Sequence, residues 1–348
     1  MGVSGTRRPT TDISSHCRGA SQVSVLIITR SVDNDSVKLV SEHLFKMGKR
    51  VIRLDTDWYP THIKITGTTG GSTRITIGDE STTLDDLDSV WYRRFHAGGN
   101  LPHDLGQEYR EVCVHESRRT LYGTIAALPC FQLDPLQCVR GTDHKELQLS
   151  RALHHGMDVP RTIFTNDADA VREFYHQEGG EIVTKMQSSF AVYPDGEEQV
   201  VFTSKVKAEQ MEEIENIKYA PMIFQEFLPK KLDIRSTVVG NRVFSAAIDS
   251  QKSSLTEVDW RRDGANTLSN WFPYQLPEEI EKKLLAVVAD FGLNYAAADF
   301  VLTKDDRMVF LEINAGGEWL WMSSHVGLPI DEALAEALTD PSVRSGSR

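Results

Sequence analysis

Two acidic residues near the C-terminus lie where a β-hairpin would bring them together. Apolar runs on both sides of the polar segment 304–307 form a strand, turn, strand pattern. A turn centred between positions 305 and 306 places Asp299 directly opposite Glu312. Because side chains alternate along a strand, Asn314 shares a face with Glu312. The pattern therefore predicts three oxygen-bearing side chains in one patch.

Two carboxylates that face each other across a sheet repel, so they are expected either in water or around a cation. Mg²⁺ takes one or two protein carboxylates and completes its octahedron with water and nucleotide phosphate oxygens. The alternative is a solvated hairpin whose acids are only surface charge. Apolar neighbours of each acid, and the Gly316-Gly317 pair after Asn314, favour a buried site. We therefore predict that Asp299, Glu312 and Asn314 are Mg²⁺ ligands.

Four basic residues lie at the ends or on the faces of predicted elements. They are Lys145, Lys185, Arg235 and Arg261. An enzyme that activates a carboxylate with ATP needs this inventory, because cations neutralise the triphosphate while transfer depends on positioning. The sequence contains no Walker loop, so side chains would have to hold the phosphates.

Composition limits the classes of partner. The chain has 348 residues, 40% hydrophobic and 25% charged, with a net charge of -12, which argues against nucleic acid. It shows no membrane span and no signal peptide, so a cytoplasmic protein without a membrane partner is expected. Its cysteines show neither metal nor disulfide spacing, and reduced thiols are expected. They are Cys17, Cys113, Cys130 and Cys138.

The order of predicted elements indicates a mixed α/β (α+β) chain. A strand over 23–29, a helix ending at Gly48 and a strand over 49–54 predict a parallel pair in an open α/β sheet. Asp143 and Glu146 predict a capped helix that begins near Lys145. A hairpin over 231–247 places Asp233 and Arg235 on one face. The predicted parts are a flexible tail (1–22), an N-terminal α/β domain (23–135), a central subdomain (136–220), a C-terminal antiparallel subdomain (221–340) and a frayed tail (341–348).

A predicted strand over residues 89–95 ends in two arginines. Arg93 and Arg94 either receive an acidic peptide or simply extend into solvent at the strand end, and chemistry alone favours the second interpretation.

Over residues 23–338 the order of these motifs resembles the ATP-grasp superfamily, which implies ATP and Mg²⁺ as cofactors. The resemblance implies that Lys145 and Lys185 face the phosphates and that Arg261 binds phosphate. It places Asp233 near the ribose and makes Asp299, Glu312 and Asn314 the Mg²⁺ ligands. The adenine would meet the backbone of a hinge formed by Gln225, Glu226, Phe227 and Leu228.

Within that superfamily the chain is similar to peptide maturases of the microviridin, or graspetide, type. Four motifs carry this resemblance: VWYRRF at 90–95, DIRSTVVG at 233–240, VDWRR at 258–262 and FLEINAGGEWLWM at 310–322. It implies a homodimeric macrocyclase that phosphorylates Asp or Glu side chains of a ribosomal precursor peptide with a leader and an acidic core. A Ser/Thr hydroxyl or a Lys amine of the same peptide then closes an ω-ester or ω-amide ring. Arg235 and Arg261 would stabilise charge during transfer.

The chain departs from the family pattern at two places. The loop after Lys185 has a single glycine, and Phe95-His96 follows the paired arginines where a proline is common. Two other functions are kept open: an ATP-grasp ligase that adds an amino acid or peptide to a terminus, and a non-catalytic protein that docks a peptide on its first domain.

Overall fold

The structure is a computed structural model. It describes residues 23–346 except 103, 187–190, 193–198, 201–202 and 253–257, and gives only the backbone at 191–192, 199–200 and 263–266. The predicted N-terminal tail and most of the loop after Lys185 lie outside the described residues. The described chain forms two compact units, one up to Gln137 together with the chain from Asp331 onwards, and the other Cys138–Ile330.

The first unit is built on a parallel sheet. Its elements are β1 (Ser24–Thr29), α1 (Ser36–Lys46), β2 (Arg50–Asp55), β3 (Ile63–Gly67), β4 (Thr73–Ile77), β5 (Glu80–Thr83), β6 (Ser89–Tyr92), α2 (Gln107–Ala126) and β7 (Phe131–Leu133). Strands β2, β1, β6 and β7 form the parallel sheet in that order. All six residues of β1 are buried, as expected for a strand covered on both faces. The predicted parallel pair is confirmed.

Arg93 and Arg94 follow β6, which ends at Tyr92 rather than at the predicted residue 95. The Arg93 side chain is buried and its Nε donates to the Ser36 hydroxyl at 3.0 Å. The Arg94 Nε donates to the Asp33 carboxylate at 2.8 Å. Both arginines therefore have structural roles within this unit, and a role in peptide binding stays a prediction.

The second unit contains a four-stranded, a five-stranded and a small two-stranded antiparallel sheet. Its elements are α3 (Leu136–Gly141, which begins at the boundary), α4 (Lys145–His154), β8 (Thr162–Thr165), α5 (Ala168–Gln177), β9 (Ile182–Lys185), β10 (Ala191–Val192), β11 (Gln199–Val200), β12 (Ser204–Lys205), β13 (Met222–Glu226), β14 (Lys230–Val239), β15 (Arg242–Ile248), β16 (Phe272–Tyr274), α6 (Glu278–Asp290), β17 (Tyr295–Thr303), β18 (Met308–Asn314) and α7 (Leu320–Val326). Strands β12, β9, β13 and β8 form the four-stranded sheet, β16, β15, β14, β17 and β18 form the five-stranded one, and β10 pairs with β11. Two long 3₁₀ helices, Ala208–Tyr219 and Trp260–Asn270, connect these elements.

The five-stranded sheet buries one face against helices. Leu284, Val287 and Val288 of α6 share a core with Leu149 and Ala152 of α4. The three α6 residues lie at helical spacing and form one buried apolar stripe. One face of the sheet therefore packs against helices, and the polar residues lie on its opposite face.

The start of α4 differs from the prediction. Lys145 is the first helical residue, but His144 is the N-cap and no side chain caps the helix. Asp143 lies one position too early for a capping box, so the predicted contact with Glu146 is wrong. Gln148 anchors this end instead, since its Nε2 donates to the Thr142 carbonyl and its Oε1 accepts from the Ile313 N–H at 2.8 Å.

The last helix, α8 (Ile330–Thr339), is followed by a 3₁₀ turn over Pro341–Val343. The Arg344 guanidinium lies 3.6 Å from the centre of the Phe131 ring and its Nε donates to the Ala337 carbonyl at 2.9 Å. The predicted fraying from residue 341 is therefore wrong as far as Arg344, because a cation–π contact holds this segment.

Candidate active site

The acidic pair is formed as predicted, but the strand pairing that produces it differs from the predicted one. Asp299 faces Glu312 across β17 and β18, and Ala297 faces Asn314, but nearer the turn Phe300 faces Phe310. The pairing shifts by one position in between, so Leu311 is the extra residue of a β-bulge. The turn is therefore centred on residue 305, rather than between residues 305 and 306 as predicted. Without the bulge that turn would place Asp299 opposite Leu311.

Arg235 extends this pair into a row across three strands. Its position in β14 faces Asp299 in β17, and its Nη1 donates to Asp299 Oδ2 at 2.8 Å. Burial raises the pKa of Asp299, although the charge of Arg235 acts in the opposite direction. Asp299 Oδ1 is buried and has no hydrogen-bond partner among the described residues. Asp299 Oδ1 is therefore an acceptor that a ligand could use.

The two predicted lysines meet at Glu312. Lys145 Nζ lies 2.6 Å from Glu312 Oε2, and Lys185 Nζ lies 3.9 Å from the same oxygen. Burial alone would raise the pKa of Glu312, but the charges of Lys185 and Lys145 lower it to about 2. Burial lowers the pKa of Lys185 to about 8, with Glu312 opposing the fall and Lys145 adding to it. Two elements distant in sequence therefore deliver positive charge to one carboxylate.

Arg261 is held by a carboxylate of its own segment. Its Nε and Nη2 donate to Asp259 at 2.8 and 2.7 Å, a bidentate pair. Asp259 also caps the 3₁₀ helix, because its Oδ1 accepts from the Arg261 N–H at 3.1 Å. These hydrogen bonds raise the pKa of Arg261. Its side chain remains 47% exposed, so it is oriented and still accessible to a ligand.

These residues line one cleft of the second unit. Its wall includes Lys185, Arg261, Asp299 and Glu312, together with apolar side chains such as Leu311 from the bulge. The predicted hinge residues Gln225, Glu226, Phe227 and Leu228 line it as well. The cleft therefore brings together the predicted adenine segment, the predicted Lys185 and Arg261, and the acidic pair.

The hinge segment is fixed by protein hydrogen bonds. The Glu226 N–H donates to the Arg161 carbonyl at 3.0 Å, and the Phe227 N–H donates to the Glu181 carbonyl at 2.9 Å. Gln225 Nε2 donates to the Thr162 hydroxyl at 2.9 Å. In the part of the chain that the structure describes, no acceptor is found for the Leu228 N–H.

The Glu226 carboxylate points towards other protein groups. It accepts from the Arg161 N–H at 3.0 Å, and Arg307 Nη2 lies 3.9 Å from it. Arg307, which follows the turn of the acidic hairpin, also makes a bidentate pair with Asp158 at 2.9 and 3.0 Å. This ionic network ties the hinge to the hairpin that carries the acidic pair.

Asp233 lies in the cleft wall with a partner that the sequence analysis missed. Lys230 Nζ donates to Asp233 Oδ1 at 2.9 Å and to the Val258 carbonyl at 3.2 Å, and both side chains are buried. Burial raises the pKa of Asp233, which Lys230 opposes. The i, i+3 spacing of the pair within a strand carries no signal for such a contact.

Gly317 is a second residue whose role only the structure reveals. A Cβ at Gly317 would lie 2.4 Å from the Ala297 Cβ and 2.6 Å from Arg235 Nη2. The Gly316-Gly317 pair signalled a close approach in the sequence, and the groups that approach are the β17 strand and the guanidinium that holds Asp299.

The donor set fits Mg²⁺. Asp299 supplies an unpartnered buried oxygen, Glu312 faces it, and the exposed Asn314 lies on the same face of β18. Within the described ranges no group of three or more His, Cys, Asp or Glu side chains is placed to hold a metal ion. A site of two carboxylates and one amide leaves the remaining positions to water and phosphate, as Mg²⁺ prefers.

Cations and paired acids in a cleft lined by residues of the four- and five-stranded sheets are typical of enzymes that transfer phosphate from a nucleotide. The family model described as the RimK-like ATP-grasp domain matches residues 142–338, and the model described as the MvdD pre-ATP grasp domain matches residues 24–140. The chain belongs to the ATP-grasp family, and the fold and family make it an ATP-dependent ligase. No curated protein matches it in sequence.

Solved structures match nearly the whole chain. Macrocyclase MdnC from Microcystis aeruginosa MRC, bound with precursor peptide MdnA, is 41% identical with a TM-score of 0.83, covering 91% of this chain and 99% of MdnC. A RiPP-associated ATP-grasp ligase from Chryseobacterium gregarium, in complex with ADP and a leader and core peptide, is 34% identical with a TM-score of 0.89, covering 93% and 98%. Macrocyclase MdnB from Microcystis aeruginosa MRC is 34% identical with a TM-score of 0.76, covering 91% and 99%.

No helix among the described residues is long and apolar enough to span a membrane.

Proposed function

We propose that this ligase is a macrocyclase of the microviridin, or graspetide, type, which uses Mg·ATP to join acidic side chains of a precursor peptide to hydroxyl or amine side chains of the same peptide. One observation carries the proposal: Asp299, held by Arg235, and Glu312 line a cleft with Lys185 and Arg261, in a chain 41% identical to a macrocyclase bound with its precursor peptide.

The nucleotide would lie along the cleft with its base at the hinge. Because the Glu226 and Phe227 N–H groups already donate to protein carbonyls, the Leu228 N–H is the hinge donor left for adenine. Lys185 and Arg261 line the same cleft and would face the phosphates, with Lys145 reaching Glu312 from α4. Asp233 would approach the ribose from the cleft wall.

Asp299, Glu312 and Asn314 would hold Mg²⁺. When bound there, the ion would neutralise phosphate charge and stabilise the oxygens between which the phosphoryl group moves. Arg235 orients Asp299 through its 2.8 Å hydrogen bond to Oδ2, and Oδ1, which has no partner among the described residues, would be the oxygen that meets the ion. Lys145 and Lys185 keep Glu312 ionised, since they lower its pKa to about 2.

The proposed reaction has two steps. In the first, a carboxylate oxygen of the peptide attacks the γ-phosphorus of ATP, a new O–P bond forms, and the bond to the bridging oxygen breaks to release ADP. Arg261 and Lys185 would stabilise the charge that develops on the transferred group. In the second, a Ser/Thr hydroxyl or Lys amine of the peptide attacks the acyl carbon, loses its proton, and phosphate leaves.

Several finer features of the proposal are inferred from the sequence and the family resemblance. These are a cytoplasmic location, a homodimer, a precursor with a leader and an acidic core, and contacts of Arg93 and Arg94 with that peptide. Light scattering of the purified protein tests the dimer. Mass spectrometry of fragmented product distinguishes an ester from an amide.

MdnA serves as the first probe. With Mg·ATP, a macrocyclase removes one water from MdnA for each ring, whereas a ligase that adds an amino acid increases the mass by one residue. ADP release is measured in parallel. Unchanged MdnA mass with no Mg²⁺-dependent nucleotide affinity would instead support a non-catalytic peptide-binding protein.

The acidic pair is tested with isosteric substitutions. Asp299→Asn and Glu312→Gln should each abolish ADP release while MdnA still binds, because the amides keep the shape and lose the charge that Mg²⁺ requires. Asp306→Asn, in the exposed turn of the same hairpin, is the matched control. Full turnover by either site variant would remove the hairpin from the mechanism.

A further inference from the structure

Three tryptophans of the second unit form a cluster that the mechanism above does not use. Trp260 begins the 3₁₀ helix, Trp271 follows its end, and Trp321 lies in α7. Ring centres are 5.0 Å apart for Trp260 and Trp271, 4.7 Å for Trp271 and Trp321, and 6.0 Å for Trp260 and Trp321. The rings of Trp260 and Trp271 meet edge to face at 79°, and both are tilted against the Trp321 ring, at 51° and 57° respectively.

Trp260 lies where the charged groups of the cleft converge. It lines the same cleft as Asp299 and Glu312, and it is the chain neighbour of Arg261. The Arg261 charge acts on Lys185 and on both acids, which places this segment beside the row of acids. Trp260 is therefore a large apolar side chain in the part of the cleft where phosphate transfer is proposed.

The cluster is fixed relative to the acidic row. Thr237, two positions after Arg235 in β14, donates to the Met322 sulfur at 3.3 Å, which attaches α7 to the sheet. Met322 is the chain neighbour of Trp321, and Trp321 packs on Trp271. Trp260 therefore has a rigid backing of two indoles.

The cluster also contains a polar group that the protein leaves unsatisfied. Trp271 is only 6% exposed, and its Nε1–H has no acceptor among the described residues. A buried indole N–H normally has a hydrogen-bond acceptor. Leaving the Trp271 N–H without one lowers the stability of the folded protein. Locally unfavourable features of this kind are concentrated at functional sites.

We propose that Trp260, backed by Trp271 and Trp321, is the contact surface for the peptide segment that carries the reacting Asp or Glu, and that it selects an apolar side chain beside that acid. The inference rests on the proposed function and specifies its substrate side. The cations of the cleft attract any carboxylate, so they cannot select among the acids of one peptide. An indole face next to the transfer site can select among them, because it binds more tightly a peptide that has an apolar residue beside the reacting acid.

The direct test uses Trp260→Ala, Trp260→Phe and Trp321→Leu. Tyr219→Ala is the matched control, since Tyr219 is an aromatic residue of the same unit that is 79% exposed and outside the residues lining the cleft. Two affinities are measured for each variant: that of Mg·AMPPNP, and that of the MdnA core peptide without its leader, with Mg·AMPPNP present.

Trp260→Ala should weaken core-peptide binding by roughly three- to tenfold, the range of a lost aromatic contact, and raise the KM for MdnA with kcat nearly unchanged. Trp260→Phe should recover most of this loss, Trp321→Leu should show a smaller effect in the same direction, and Tyr219→Ala none. Nucleotide affinity should stay within about twofold throughout.

Two results overturn the inference. One is a loss of Mg·AMPPNP affinity in Trp260→Ala with unchanged core-peptide binding, which would make the indole part of the nucleotide site. The other is wild-type affinity for the core peptide in Trp260→Ala, or no core-peptide binding by the wild type. The proposed function is judged separately, by loss of water from MdnA in the wild type.

Discussion

Gly317→Ala tests whether the acidic row depends on close packing behind it. The added methyl would lie 2.4 Å from the Ala297 Cβ and 2.6 Å from Arg235 Nη2, both far inside normal contact. Ala297 is part of β17 and cannot rotate away. The Gly317 loop is also held, because its carbonyl accepts from the Tyr295 hydroxyl at 2.5 Å. The guanidinium is the group that can yield, and Asp299 would lose its hydrogen-bond partner.

The magnitude follows from two terms. Overpacking of a core costs about 1–3 kcal/mol. For a unit of roughly 200 residues this corresponds to a fall in Tm of about 2–12 °C. Displacement of Arg235 removes a charge-assisted hydrogen bond, which is worth roughly 1.5–3 kcal/mol and therefore about 10- to 100-fold in ADP release if it acts in the transition state.

The neighbouring glycine supplies the control. A Cβ at Gly316 would meet only Asn314 Oδ1, at an ordinary 3.7 Å. Gly316→Ala should therefore leave Tm and ADP release close to those of the wild type. Differential scanning calorimetry and a coupled ADP assay measure both variants. If Gly317→Ala behaves like Gly316→Ala in both assays, the packing argument is refuted.

Three further predictions concern charged groups. Arg307→Ala should weaken Mg·AMPPNP binding by roughly two- to tenfold in calorimetric titration, because the Glu226 carboxylate behind the hinge loses a cation; unchanged affinity would mean the network only links surfaces. Lys230→Met should destabilise the protein by about 3–5 kcal/mol in urea unfolding, since it leaves Asp233 buried without a counter-ion, and adding Asp233→Asn should restore part of the loss. Burial raises the pKa of Asp33, but a threonine hydrogen bond and neighbouring arginines lower it below its usual 3.8 overall. Asp33 therefore stabilises the fold above that pH, and the Tm advantage of wild type over Asp33→Asn should shrink as pH falls below about 3.8; a constant difference would contradict this.

Alternation was enough to predict the hairpins and which side chains share a face, because side chains repeat along a strand with a period of two. It could not predict the bulge. Leu311, the extra residue, lines the cleft, and the pattern of apolar residues on either side of the turn is compatible with a strand that has this residue or lacks it. The correct pair was therefore predicted from a turn that the structure places elsewhere.

The contacts that position Lys145 could not be predicted from the sequence either, because they join residues that are far apart in the chain. Local spacing suggested a capping box, whereas the start of α4 is held by Gln148, which accepts from Ile313 far along the chain. The Lys230 and Asp233 pair and the tryptophan cluster likewise join residues whose proximity follows from tertiary structure. Motif order revealed the family, and only the fold revealed what supports the motifs.

The single N–H of Leu228 has a consequence for the choice of nucleotide. Adenine presents a ring nitrogen at N1 that accepts a hydrogen bond, whereas guanine carries a hydrogen at the corresponding position and would oppose donor to donor. If adenine lies at this hinge as proposed, the neighbouring Glu226 and Phe227 N–H groups, which already donate to protein carbonyls, cannot adjust to the second base by exchanging partners. Discrimination between ATP and GTP would then reside in the main chain, where no side-chain substitution at the hinge could readily reverse it.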